Sequence, residues 1–197
     1  MTITFIFLFN SILLGIGLAM DAFSVSLANG LNEPEMKKSR MHLISGTFGF
    51  FQTLMPLIGW ICVHTITQYF TSFQKFVPWI ALILLLFIGG KMLIEGIKNL
   101  KGEGEYEAAP VSFGALMLQA VATSIDALSV GFTIADLDLG MAVVSTLMIG
   151  AVTYAISLAG VVIGRKFGTK LSGKANILGG AILIFIGLEI FVRGVLL

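Results

Sequence analysis

LLGIGLAMDAFSVSL, residues 13–27, returns as LQAVATSIDALSVGF, residues 118–132, with an aspartate at the same place in each copy, Asp21 and Asp126. Both copies are apolar on either side of the acid. An aspartate near the middle of a membrane helix costs about 2.5–3.5 kcal/mol on insertion scales, while a leucine there returns only about half a kcal/mol. The stem of an aspartate is too short to snorkel to the interface. Two such residues, kept in a repeated motif, demand a reason beyond packing.

Working outward, the chain has 197 residues, of which 57% are hydrophobic and 12% charged, and its mean hydropathy is +0.99. That composition excludes a soluble domain with a solvated surface and leaves the membrane class. Stretches of roughly 20 apolar residues, the length of one bilayer crossing, occur at 3–28, 43–66, 76–97, 111–135, 139–163 and 175–197. The expected fold is therefore an all-α integral membrane protein of six transmembrane helices. The short connections leave no room for a soluble domain. MTITFIFLFN has no basic start and no A-x-A-like cleavage site follows, so the first stretch reads as a retained helix.

The repeat extends beyond the aspartates. GFFQTLMPLIG (49–59) corresponds loosely to GAVTYAISLAG (150–160), and IGGKMLIEGI (88–97) to IGLEIFVRGV (186–195). The chain thus divides into two three-helix repeats in one membrane domain, 1–100 and 101–197. Three crossings per repeat invert the second relative to the first. Inverted repeats are a plan of secondary transporters, with substrate held near the midplane and the halves rocking around it.

Charge orients the helices. Lys37, Lys38 and Arg40 lie in the first loop, Lys98 and Lys101 in the third, and Arg165, Lys166, Lys170 and Lys174 around the fifth, against Lys75 alone on the other side. The positive-inside rule then makes the odd loops cytoplasmic and sets both termini outside. Lys91 aligns with Glu189 and Glu95 with Arg193, so the order of charge is swapped between repeats. Each pair is spaced i, i+4, which suits local salt bridges or a gate across the pseudo-two-fold.

At helical spacing Gly17, Asp21, Ser24 and Ala28 share one face, and Ala122, Asp126, Ser129 and Thr133 share its counterpart. If these small, polar faces meet, two carboxylates lie among hydroxyl and carbonyl oxygens, a donor set that suits a hard divalent cation such as Mg, Ca or Mn. Thr123, Ser124, Asn29 and Gln52 are further candidate oxygen donors, and Met20 is a candidate sulfur donor. These four, with Gln119 and Thr153, are polar near helix middles or ends and read more readily as interhelical glue than as ligands, just as a methionine in a membrane helix is more often packing. The lone Cys62 excludes an internal disulfide, and His42 and His64 are too few and too far apart for a histidine site. No cofactor is expected, nor any nucleic-acid partner, and nothing in the sequence speaks to oligomeric state. Pro56 is expected to kink the second helix. Glu103, Glu105 and Glu107 read as a solvated loop, and Asp136 with Asp138 as an outer polar turn.

MDAFSVS (20–26), GFFQTLMPLIGW (49–60), IGGKMLIEG (88–96) and TSIDALSVG (123–131) together resemble the MntP-type manganese efflux pumps of bacterial inner membranes. The resemblance covers nearly the whole chain. It implies export of Mn2+ from the cytoplasm as transported substrate, with Asp21 and Asp126 as the functional carboxylates, and proton antiport is a chemically economical way to drive it. A related sporulation-associated membrane branch has similar motifs. The residues alone leave open another divalent cation or a small solute. An intramembrane aspartyl protease also needs two aspartates on neighbouring helices, but its G-x-G-D signature is absent.

Overall fold

A computed structural model describes residues 5–65, 77–100, 110–171 and 174–195. Within them the chain forms helices and turns and no strand. In order these are α1 (Phe5–Asn32), α2 (Lys38–Thr65), α3 (Val77–Leu100), α4 (Phe113–Thr123), α5 (Ile125–Thr133), α6 (Leu139–Leu171) and α7 (Ala175–Val195). Among the described residues four helices are long and apolar enough to cross a membrane: α1, α2 through Val63, α4 and α5 taken together, and α6 through Gly168. In α7 the apolar run Ile177–Leu188 is shorter. The protein is accordingly a multi-pass, all-helical membrane protein. Lys75, Lys101 and the Glu103, Glu105 and Glu107 run lie outside the described residues.

Its surface is greasy and its interior partly polar. Phe5, Phe87, Phe113, Ile83 and Phe185 are each more than 60% exposed, the apolar exterior that lipid tails cover. Inside lie Ala19, Ala22 and Ala28 together with Ser26, Ser45, Gln52, Gln119 and Thr146. In lipid the hydrophobic effect does not drive helices together, so close backbone approach and interhelical hydrogen bonds must. The sequence supplies both. Gly160, Gly164 and Gly168 form an i, i+4, i+8 stripe on α6, and it lies on the carbonyls of Phe23, Leu27 and Leu31 at the same spacing on α1. A Cβ placed on Gly164 would stand 2.2 Å from the Leu27 oxygen. Ser11 pairs with Ser145 at 2.9 Å and Ser26 with Ser157 at 2.5 Å, two hydroxyl links along the same seam.

Gly59 of α2 approaches α5 in the same manner, a Cβ there falling 2.2 Å from the Leu128 oxygen. Gly49 and Gly150 face each other where α2 crosses α6, and Gly89 faces Gly180 where α3 crosses α7. These contacts fix relative direction. Contact positions rise together along α1 and α6, from Ser11 on Ser145 to Leu31 on Gly168, so that pair runs parallel. Along α3 and α7 they run oppositely, Gly89 meeting Gly180 while Trp79 stacks edge-on against Phe191. Every direction agrees with helices that alternate across a membrane.

The ends are equally distinct. Arg40 donates to Glu33 Oε2 at 2.7 Å and to the carbonyl of Val111, and Arg165 donates to the Pro34 carbonyl at 3.0 Å. Those bonds gather the first loop, the start of α4 and the end of α6 at one end of the bundle. At the other, Trp60 Nε1 donates to the Leu137 carbonyl at 3.1 Å. Asp138 there accepts from the Met141 amide at 2.9 Å, the bond of a helix N-cap.

α2 includes Pro56 within its helical span, where Pro56 has no N–H to offer the Gln52 carbonyl. One feature departs from the expected outline. The fourth crossing, expected as one helix over 111–135, is instead broken at Ser124.

Candidate functional site

The break has a local cause. The Thr123 hydroxyl donates back to the Gln119 carbonyl at 2.9 Å and to that of Ala120 at 3.3 Å. The Ser124 amide closes onto the Val121 carbonyl, three residues back. Hydroxyl side chains offer the backbone alternatives to the helical ladder, and the Thr123 hydroxyl takes up two carbonyls where α4 ends, with Ser124 at φ −111°, ψ 6°. A fresh helix starts at Ile125, which puts Asp126 in its first turn. Asp126 Oδ1 accepts the Ala127 amide at 2.8 Å, one of the amides that a new helix start leaves unpaired. At the matching positions of the first repeat, Leu18 and Ala19 have no hydroxyl, and α1 runs unbroken past Asp21.

On α1 a stripe of Gly17, Met20, Asp21, Ser24 and Leu27 lines a cavity of about 610 Å³ whose remaining wall is Asp126 together with Ala181, Ile182, Phe185 and Ile186 of α7. A second cavity, of about 690 Å³, is lined by Asn10, Leu13, Gly17, Asp126 and Val130 among others. Gly17 and Asp126 belong to both. The first cavity extends along α1 toward Leu27, the end where the basic loops gather, and the second toward Asn10, the opposite end. Asp21 and Asp126, distant in sequence, thus line one cavity. Asp126 is exposed and Asp21 partly so.

The other expected donors separate into two groups. Ser24 lines the cavity with the aspartates, donating its hydroxyl proton to the Met20 carbonyl at 3.0 Å, which leaves its oxygen able to accept or to ligate. Ser129 is exposed on α5. Asn29, Gln52, Thr123 and Ser124 are buried and do not line either cavity. Asn29 and Gln119 form a two-way amide pair, at 2.8 and 3.3 Å. Gln52 donates to the Leu18 carbonyl at 2.8 Å, and its Oε1, like the Ser124 hydroxyl, finds no hydrogen-bond partner among the described residues. Lys91 is exposed on α3. Glu95, Glu189 and Arg193 fall within α3 and α7, but their side chains lie outside those described. Among the described residues no group of three or more His, Cys, Asp or Glu could hold a metal ion, and the donors the cavity lining adds to its two carboxylates are the Ser24 hydroxyl and the Met20 thioether.

Sequence reasoning did not find Asn10 or the α7 wall. Asn10 sits near the start of the first apolar run with no spacing signal, and Ala181, Ile182, Phe185 and Ile186 read like any lipid-facing stretch.

The amide pair makes a test of packing. Asn29→Ala leaves the buried Gln119 amide without its partner, which should cost about 1–3 kcal/mol and lower the melting temperature in detergent. Replacing both residues with leucine should recover much of that loss.

The sequence model of the family described as "Putative manganese efflux pump" matches residues 35–191. A protein of Methanobrevibacter smithii named "Putative manganese efflux pump MntP" is 44% identical over 183 residues, covering 93% of this chain and 96% of the relative. A protein of Sorangium cellulosum with the same name is 42% identical over 189 residues, covering 94% and 96%. One of Crocosphaera subtropica, again so named, is 40% identical over 186 residues, with the same coverage. No solved structure matches the chain.

Proposed function

Because the chain belongs to the family described as "Putative manganese efflux pump", we propose that it exports Mn2+ from the cytoplasm through a site near the membrane midplane built on Asp21 and Asp126. The observation that carries this reading is the single cavity that both aspartates line. Two carboxylates balance the two charges of the cation, and Ser24 adds a neutral oxygen. The chain's chemistry is transport, with Mn2+ as cargo and no resident cofactor.

In this reading six helices cross the cell (inner) membrane as two inverted three-helix repeats. Pairs of contacts support the symmetry. Gly59 lies on the Leu128 carbonyl, and its counterpart Gly160 lies on the carbonyl of Phe23, the counterpart of Leu128. Gly49 and Gly150, themselves counterparts, meet each other. The basic loops at one end favour that end as cytoplasmic, with both termini outside. Mn2+ then enters along the cavity that reaches toward Leu27 and leaves along the one that reaches toward Asn10. Protons taken up from outside by the emptied carboxylates reset the site, which makes the exchange an antiport. Lys91, Glu95, Glu189 and Arg193 serve as charge pairs that gate it.

Cells that produce the protein under manganese challenge should hold several-fold less manganese than cells with an empty vector, read by elemental analysis. A panel with Mg2+, Ca2+, Co2+ and Zn2+ checks the cargo. Equal manganese in the two strains would remove the export reading, and a larger effect on another metal would replace the substrate.

A further inference from the structure

Two carboxylates and a hydroxyl are hard oxygen donors, and such a set holds Mg2+, Ca2+ and Mn2+ alike. Mn2+ stands at the weak end of the first-row affinity order, so charge alone gives it no advantage over the other hard divalent cations of a cell. A manganese exporter with only these ligands would spend its turnovers on the wrong ion. The cavity around Asp21 contains one further kind of donor. Met20 precedes Asp21 on the α1 stripe, lines the same cavity as Asp21, Ser24 and Asp126, and is 49% exposed. It is the sole sulfur among the residues lining that cavity.

Met20 is not part of the packed core: Met36 and Met41, 1% and 7% exposed, sit in the main hydrophobic cluster, whereas Met20 is absent from both core clusters. Gly17, one turn before it, has no atom within 4 Å of the point where a Cβ would stand, so the stripe is open on that side. Helical spacing brings Met20, Asp21 and Ser24 to adjacent positions of one face.

We infer that Met20 is the selectivity residue of this cavity, its thioether ligating a transition-metal cation beside the Asp21 carboxylate. This rests on the export reading above and goes on to say how the site tells its cargo from Mg2+ and Ca2+. A thioether adds no charge, so the balance of two carboxylates against one divalent cation is kept. It penalises Mg2+, which demands six near-ideal oxygen ligands and gives up its waters reluctantly. Mn2+ tolerates the mixed shell. A softer ion such as Cd2+ binds the sulfur better still.

The test is Mn2+ binding to the purified full-length protein in detergent, read by electron paramagnetic resonance and titrated with Mg2+ and with Cd2+. For Met20→Leu the Mg2+ concentration that displaces half of the bound Mn2+ should fall about tenfold and the Cd2+ concentration should rise by a similar factor, each equivalent to about 1.4 kcal/mol. Met20→Cys, which keeps a sulfur donor but ligates as a charged thiolate, should move the Cd2+ ratio the opposite way from Met20→Leu, Cd2+ displacing Mn2+ at a lower concentration than in the wild type. Ratios taken on the monodisperse fraction are indifferent to yield, so poor expression of one variant does not alter the outcome. Unchanged ratios in Met20→Leu, or a Met20→Cys protein that behaves like Met20→Leu, overturn the inference. Asp21→Asn separates the two levels. If it leaves Mn2+ binding intact, the export site itself is misassigned and the inference falls with it. If it weakens binding while Met20→Leu keeps the wild-type ratios, only the role of Met20 is lost.

Discussion

Asp21→Asn and Asp126→Asn are each expected to reduce Mn2+ export at least about a hundredfold, equivalent to roughly 2.7 kcal/mol of lost cation stabilisation. Asparagine matches aspartate in shape, so the packing of α1 and α5 should survive. At Asp126 the point is specific, because the amide oxygen of asparagine still accepts the Ala127 N–H that the carboxylate now accepts at 2.8 Å. What disappears is one of the two negative charges that the proposed site sets against a divalent cation. A cation taken from water into a low-dielectric interior is strongly disfavoured unless its charge is met. Export assayed in vesicles loaded with Mn2+, alongside size-exclusion profiles to verify folding, checks the prediction. Wild-type rates in both variants would mean that the cavity is not the transport site.

The second large effect is structural. Gly164→Leu should leave little folded protein, and Gly164→Ala should already lower stability by about 1–3 kcal/mol, the scale of overpacking. Its Cβ would meet the Leu27 oxygen at 2.2 Å and the Gly30 Cα at 3.0 Å, both backbone atoms of a continuous helix that cannot turn aside. Gly46→Ala is the control, since nothing lies within 4 Å of its added carbon. There alanine should be neutral or stabilising by up to about 1 kcal/mol through helix propensity. Melting curves in detergent for the three variants give the order directly. A Gly164→Ala protein as stable as Gly46→Ala would refute the close-packed α1 and α6 interface.

That Asp21 and Asp126 belong together was legible from a repeated motif with one costly residue, and the two line one cavity; the family was legible from the resemblance of its motifs. The helices were legible from apolar length alone. The break at Ser124 was not, although a clue stood in the sequence: Thr123 and Ser124 replace Leu18 and Ala19 between otherwise similar copies. Hydropathy averages over that difference, while hydrogen bonding does not. Asn29 and Gln52 illustrate the converse. Their polarity and depth allowed both ligand and interhelical glue, and the bonds of Asn29 to Gln119 and of the Gln52 amide to a carbonyl of α1 are of the second kind. One-dimensional sequence cannot say which buried amide faces another and which faces a cavity. The Gly160, Gly164 and Gly168 stripe was open to reading from its spacing, but its target, three carbonyls on α1, required the fold.

That stripe also bears on how access to the cavity would change in the export proposed above. Zippered together by glycine on carbonyl and by two serine pairs, α1 and α6 behave as one body, though they come from different repeats. α2 is packed onto that body and onto α5. By contrast α3 and α7 pack chiefly on each other, and α7 meets α1 across the cavity itself. The mechanical division of the molecule therefore cuts across its sequence repeats. Swinging one repeat against the other would tear the tightest seam in the protein, whereas tilting the α3–α7 paddle only widens or narrows a gap that is already there.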